Sequence, residues 1–208
     1  MSLYVQYGCG MSAPEGWKNF DASPTLRLQK IPGFGKLVHK VKFPKNIMYG
    51  DIVKGLPGIL LESCDGVYCS HVLEHLSLQD FRLALKNTLS LLKKGGIFRC
   101  VIPDLEISIN NYIIERAAGN ADASFNLIND TMLGIHSRPK GFKQNIIAFA
   151  GNSHHLWMWD KYSLKKELKV AGFSYIRLCQ YNDSNDLHFK KVEDEGRFYG
   201  AVAFEAIK

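Results

Sequence analysis

Asp65-Gly66-Val67-Tyr68-Cys69-Ser70-His71-Val72-Leu73-Glu74-His75-Leu76 reads as a buried strand that stops abruptly at polar, chemically capable side chains. A short apolar run bounded in this way is the pattern of a strand covered on both faces. A second strand ends alike: Lys94-Gly95-Gly96 leads into residues 97–102, and Pro103-Asp104 follows. Between the two, Ser77 with Asp80 three residues on marks a helix start. Leu78, Phe81, Leu85, Leu89 and Leu92 recur at helical spacing, and Lys93, Lys94 and the glycine pair are expected to close that helix. Strand, helix and strand in this order form a βαβ unit, which needs a parallel sheet and a right-handed crossover. Open sheets of this kind bind ligands beyond the carboxyl ends of their strands. The polar groups at those ends therefore point to an enzyme.

The flanking sequence supplies the rest of a sheet. Residues 3–7 are a short apolar strand running into Gly8-Cys9-Gly10, and residues 17–20 are a second, ending in Asp21. Residues 47–49 precede Gly50-Asp51, and residues 175–179 and 198–207 are the last two strands. Residues 22–46 hold Pro24, Pro32, Gly33, Gly35 and Pro44, which predicts a long loop with little regular structure. Residues 109–118 and 125–133 look helical, and residues 134–155 lack a clear period. The stretch 105–160 is read as an insertion or lid over the carboxyl edge. Ser163 is expected to cap a helix that runs through Ala171 and stops at Gly172.

A chain of 208 residues suits one domain, here 1–208, with a sizeable core. Hydrophobic residues at 46% and charged residues at 22% are ordinary for a soluble globular protein. No apolar run approaches the length of a membrane span, and the first residues lack the pattern of a signal peptide. The five cysteines have no metal-ligand spacing and read as reduced thiols in the cytoplasm. The net charge of +6 is concentrated: no acidic residue lies between Asp21 and Asp51, an interval holding Arg27, Lys30, Lys36, Lys40, Lys42 and Lys45. Such a segment attracts an anionic ligand, or is simply a solvated loop.

Four motifs occur in order: Gly8-Cys9-Gly10, Gly16-Trp17-Lys18-Asn19-Phe20-Asp21, Ser70-His71-Val72-Leu73-Glu74-His75-Leu76, and Gly95-Gly96 followed by Pro103-Asp104-Leu105. With them the chain resembles the class I S-adenosylmethionine-dependent methyltransferases, most of all small predicted members of that group. The resemblance covers residues 3–105 well and 163–179 more weakly. It implies an α/β, Rossmann-like fold: a seven-stranded, mostly parallel sheet with one antiparallel strand, supplied by 198–207, and helices on both faces. It also implies S-adenosylmethionine as cofactor. Gly8, Cys9 and Gly10 would form the turn against its methionine part, Asp21 would hold the ribose hydroxyls, and Asp51 with Ile52 would meet the adenine. Ser70 and His71 would face the methionine end and the acceptor. A cover over the cofactor is expected from residues 105–160 or from a second subunit, as in a homodimer.

Methyl transfer from a sulfonium needs alignment above all, and a general base where the acceptor carries a proton. His71, Asp104, His154 and His155 are the candidates, His71 best placed at a strand end. Asp104 also suits a helix cap. In the run from His154 to Asp160, Trp157 and Trp159 suit either an acceptor pocket or core packing. The acceptor is read as a small anion, such as a sugar nucleotide, glycan precursor or phosphorylated metabolite, in preference to nucleic acid, because few aromatics interleave the basic run. Two other readings stand beside this one. Only five residues separate Gly10 from Gly16, too few for a full helix, which suits a non-catalytic cofactor-binding or partner-binding member of the fold. His71, Glu74 and His75 also spell H-x-x-E-H, the pattern of one zinc hydrolase class. That class needs both histidines on one helical face, whereas a strand ends just before the motif and Ser77 caps a helix just after it. No metal is therefore expected.

Overall fold

The computed structural model describes residues 2–31, 42–137 and 154–208. Lys36 and Lys40 lie outside the described residues, as does most of the aperiodic stretch 134–155. The strands are β1 (Tyr4–Tyr7), β2 (Trp17–Asp21), β3 (Ile47–Tyr49), β4 (Cys64–Ser70), β5 (Leu92–Pro103), β6 (Ile176–Leu178) and β7 (Ala201–Ile207). They form one seven-stranded sheet in the order β3-β2-β1-β4-β5-β7-β6. Strands β1 to β5 pair in parallel, and β7 runs antiparallel to both β5 and β6. The order reverses at β1/β4, so the crevice at a switch point lies beyond Tyr7 and Ser70.

The described helices are α1 (Pro24–Gln29), α2 (Leu78–Leu91), α3 (Leu105–Ala117), α4 (Ala123–Asp130) and α5 (Lys161–Ala171). On one face of the sheet, Val5, Tyr7, Val67, Cys69, Phe98, Cys100 and Phe204 are buried under Phe81, Ala84 and Leu85 of α2 and Leu164 and Leu168 of α5. The alternate residues face the other way. There Tyr4, Trp17, Tyr68, Val101 and Ala203 pack under Phe189 and Val192, and Leu26 of α1 packs with Cys9 and Ile47. This second face carries polar groups as well: buried Gln6 donates to Asn19 Oδ1 at 2.6 Å, and Arg99 is 1% exposed.

Several boundaries differ from expectation, each for a local reason. Residues 22–46 are not all loop: Pro24 takes the first turn of α1, where its missing N–H costs nothing, and Ser23 caps the helix by accepting from Leu26 N. Helix α2 stops at Leu91 rather than at the lysines and glycines, because Leu92 is fully buried and already pairs with Cys64 in the sheet. Helix α3 begins at Leu105, since Asp104 caps it by accepting from Glu106 N at 2.9 Å. Helix α5 is capped by Asp160, with Ser163 as the reciprocal partner of a capping box. It does end at Gly172, whose φ of 109° suits glycine. The final strand starts at Ala201 because Glu195–Phe198 forms a 3-10 turn.

Candidate active site

The loop after β1 is built by backbone constraint. Gly8 has φ +62°, and a Cβ there would lie 2.2 Å from Val72 Cγ2. Glycine at this position thus lets the loop close on the residue next to His71; the contact is with the protein, not with a ligand. Gly10 also has positive φ, and its α-carbon faces open space. Asp21, at the end of β2, is buried; its carboxylate accepts from Gly10 N at 2.9 Å and Ser23 N at 2.8 Å. It therefore fixes both the first loop and the start of α1. Asp51 accepts from Val53 N at 3.0 Å and pairs with Lys54 at 3.5 Å, while the Ile52 side chain is buried in the core.

A cavity of about 300 Å³ opens at the switch point, lined by Gly8, Cys9, Ser70, Lys191 and Arg197 among others. Ligand pockets commonly start at about this size. Ser70 Oγ and Tyr68 Oη, both on its wall, are buried without a hydrogen-bond partner among the described residues. Such groups are costly to leave unpaired; the Ser70 hydroxyl is near enough to Tyr68 to offset part of the burial that raises the phenol. Burial pushes the Cys9 thiol up to about 12, with the Asp21 carboxylate adding to the effect, so the thiol is neutral in this wall.

The cover of this cavity comes from residues 187–198, which the sequence reading did not single out. A 3-10 turn, Leu187–Lys191, buries Phe189 against Tyr4 and Trp17. Arg99 Nε donates to Glu193 at 2.6 Å, and its Nη1 donates to Glu205 at 2.8 Å and Asp183 at 3.0 Å. This buried cation in β5 thus ties the covering segment to the sheet.

A second cleft, of about 350 Å³, lies beside the first and is lined by His71, Glu74, His75, Met132, His155, Gly196 and Arg197. Arg197 lines both spaces and donates to Ser70 O at 3.4 Å. His71 follows β4 with φ 54°, and its Nε2 lies 2.9 Å from Arg197 O. A carbonyl only accepts, so Nε2 carries the proton and Nδ1 presents a lone pair. Burial holds the His71 and His155 rings below their ordinary pKa, so both are neutral near pH 7. His155 reaches the cleft because Leu156 N and Trp157 N donate to Glu74 O at 2.7 and 3.1 Å. The structure thus brings together His71 and His155 but not Asp104, which caps α3 and lines neither cavity. His154 offers its backbone carbonyl to His75 Nδ1 at 3.0 Å. Trp159 is core, stacked on Phe81 at 4.1 Å, and Trp157 is half-exposed. The residues Leu73–His75 form a 3-10 turn, so the helical zinc-peptidase arrangement of His71 and His75 does not exist here.

A family model described as "Methyltransferase domain" matches residues 11–178. The chain belongs to that family. This methyltransferase uses S-adenosylmethionine as its cofactor. Solved structures with the same fold include a methyltransferase from Thermotoga maritima described as a possible histamine N-methyltransferase (17% identity, 100% of this chain and 83% of that one, TM-score 0.52). An S-adenosylmethionine-dependent methyltransferase from Archaeoglobus fulgidus is similar too (16% identity, 100% and 86% covered, TM-score 0.53). So is the 1,6-didemethyltoxoflavin-N1-methyltransferase of Burkholderia thailandensis, solved with S-adenosylhomocysteine (12% identity, 100% and 71% covered, TM-score 0.50). No curated protein sequence matches the chain. Among the described residues, no helix is long and apolar enough to cross a membrane.

Proposed function

We propose that the methyltransferase holds its cofactor in the cavity between the ends of β1 and β4 and methylates a small anionic acceptor in the adjoining cleft. The observation that carries this reading is Arg197, which lines both spaces and stands at their junction beside Ser70 and His71. When bound, the cofactor supplies a methyl group already activated on a sulfonium, so the chain's task is to align and to handle a proton. Gly8 and Cys9, with Gly10 completing their loop, form the wall against its methionine part, and Ser70 Oγ and Tyr68 Oη supply polar groups there. Asp21 keeps lone pairs for the ribose hydroxyls beyond the two it gives to backbone N–H groups. The Asp51-Ile52 turn flanks the adenine, through its backbone where Ile52 is concerned.

His71 Nδ1 is the base of this arrangement: its ring is neutral, its tautomer is fixed by Arg197 O, and this atom lies 3.5 Å from Oε1 of Glu74, which also lines the cleft. Arg197 selects the anionic acceptor, the class that includes sugar nucleotides, glycan precursors and phosphorylated metabolites. The described part of the basic segment does not line either space. Its described members Arg27, Lys30, Lys42 and Lys45 accompany α1 and the approach to β3, an edge strand of the sheet three strands from β4. The buried thiols suit a cytoplasmic setting.

The test is transfer of labelled methyl from S-adenosylmethionine to matched anionic and neutral acceptors. Label should enter the anionic set, with an acceptor KM that rises with salt and rises at least tenfold in Arg197→Ala. Label entering neutral acceptors alone, with KM indifferent to Arg197, would show the acceptor class to be wrong.

A further inference from the structure

Glu74 is the least explained residue of the chain. Its side chain is 1% exposed, and neither carboxylate oxygen has a hydrogen-bond partner among the described residues. A buried carboxylate left in that state is costly. Three imidazoles surround it: His71 Nδ1 lies 3.5 Å from Oε1, His75 Nε2 3.9 Å and His155 Nε2 3.9 Å. The tautomers make the arrangement more telling. His75 Nδ1 faces His154 O at 3.0 Å and so carries the proton, which leaves a lone pair on Nε2 directed to Glu74. His71 presents a lone pair to the same oxygen for the same reason. Burial pushes the Glu74 carboxyl up to about 8, so without an ion it holds a proton near pH 7; a cation seated among these atoms would take that proton's place. A single proton does not bridge these gaps, since hydrogen bonds between such atoms run to about 3.2 Å.

We infer that Glu74, His75 and His155 form a binding site for one divalent transition-metal ion. Their ligand atoms all lie within 4.8 Å of one another. Ligands bonded at about 2.1 Å in tetrahedral array stand about 3.4 Å apart, so the two 3.9 Å Glu74–imidazole separations must close by about half an ångström on the ion, and the widest separation within the 4.8 Å limit by at most about 1.4 Å. Two imidazoles and one carboxylate suit zinc, cobalt or manganese and disfavour magnesium or calcium, which take oxygen ligands. The His75–His154 carbonyl contact is the outer hydrogen bond that ordinarily orients a metal-binding imidazole. Three protein ligands leave coordination positions open towards the cleft that also holds His71 and Arg197. On the methyl-transfer reading above, the ion would seat an acceptor that offers a hydroxyl or carboxylate oxygen, and His71 would stay available as base.

The experiment is titration of the chelator-treated full chain with Co²⁺ and Zn²⁺, followed by calorimetry and by the visible bands of bound cobalt. One ion per chain is expected, with micromolar or tighter affinity weakened at least tenfold in Glu74→Gln, His75→Gln and His155→Ala. Magnesium should not compete. A melting curve and a titration with S-adenosylhomocysteine accompany each variant, and at least one of the three should retain the fold and the nucleoside site. Absence of binding to the native chain, or equal binding in every folded variant, would overturn the site. Cofactor binding is read separately, so failure of one claim does not pass for failure of the other.

Discussion

The carboxylate of Asp21 accepts the backbone N–H of Gly10 at 2.9 Å, joining the end of β2 to the loop that follows β1. Its second oxygen holds Ser23 N, so one side chain sets the cofactor loop and starts α1. An amide at this position has one acceptor oxygen and can satisfy only one of those donors. Asp21→Asn should therefore lose less stability than Asp21→Ala, for which about 1–3 kcal/mol is expected from the orphaned N–H groups. Both should weaken S-adenosylhomocysteine binding at least tenfold. Urea unfolding and calorimetry measure the two effects, and stability of both variants equal to that of the native chain would show that the loop does not depend on the carboxylate.

Arg99 is the anchor of the cavity's cover. Its removal would leave Glu193 buried without its cation, while Glu205 keeps Arg177, and orphaning such a buried carboxylate costs about 3–5 kcal/mol. Arg99→Ala should lower the unfolding midpoint accordingly. Arg99→Lys should recover only part of the loss, because an ammonium cannot place donors on three carboxylates in one plane. Proteolysis should then cut first within 180–198, since that segment is held to the sheet by this cation. Unchanged cleavage kinetics in Arg99→Ala would contradict the anchoring role.

The buried thiols make the fold sensitive to alkali. Burial raises the Cys100 thiol to about 12, and it raises Cys64 and Cys179 as well as Cys9. In the unfolded chain these groups titrate near pH about 8.5. The folded state therefore keeps its protons where the unfolded state has lost them, and stability falls as pH rises. The loss begins near pH 9 and continues towards 12, at up to about 1.4 kcal/mol per pH unit for each such thiol. Below pH about 8 the thiols are neutral in both states and contribute no slope. Urea midpoints measured from pH 7 to 11 should show a flat region and then a decline, and Cys100→Ala should make the decline shallower.

Much of the frame was legible because it rests on local signals. The run ending at Ser70, the Ser77 cap and the leucine spacing of α2 each report a local preference, and all three agree with the parallel pairing of β4 and β5. Helix α1 was hidden because Pro24 reads as a breaker, although Ser23-Pro24 is also a helix start. The cover at 187–198 has no period to read. It is held by Arg99, whose partners Asp183 and Glu193 are more than eighty residues away in sequence. A lone arginine in an apolar strand was the available signal. For the candidate site, His71 and His155 were visible as residue types, and their convergence on Glu74 was not. Burial of Glu74 follows from Leu156 and Trp157 docking on its backbone, a contact made across some eighty residues. Asp104 had two readable uses at a strand end, acceptor contact or a helix cap, and the cap is the one the structure shows.

The central claim is that the space between the ends of β1 and β4 is the cofactor site. Calorimetric titration of the purified chain with S-adenosylhomocysteine tests it most directly. The account expects one site per chain, with micromolar affinity that Ser70→Ala and Asp21→Asn each weaken, Asp21→Asn by at least tenfold, about 1.4 kcal/mol. Binding that is absent from the native chain, or that is indifferent to both substitutions, would contradict it.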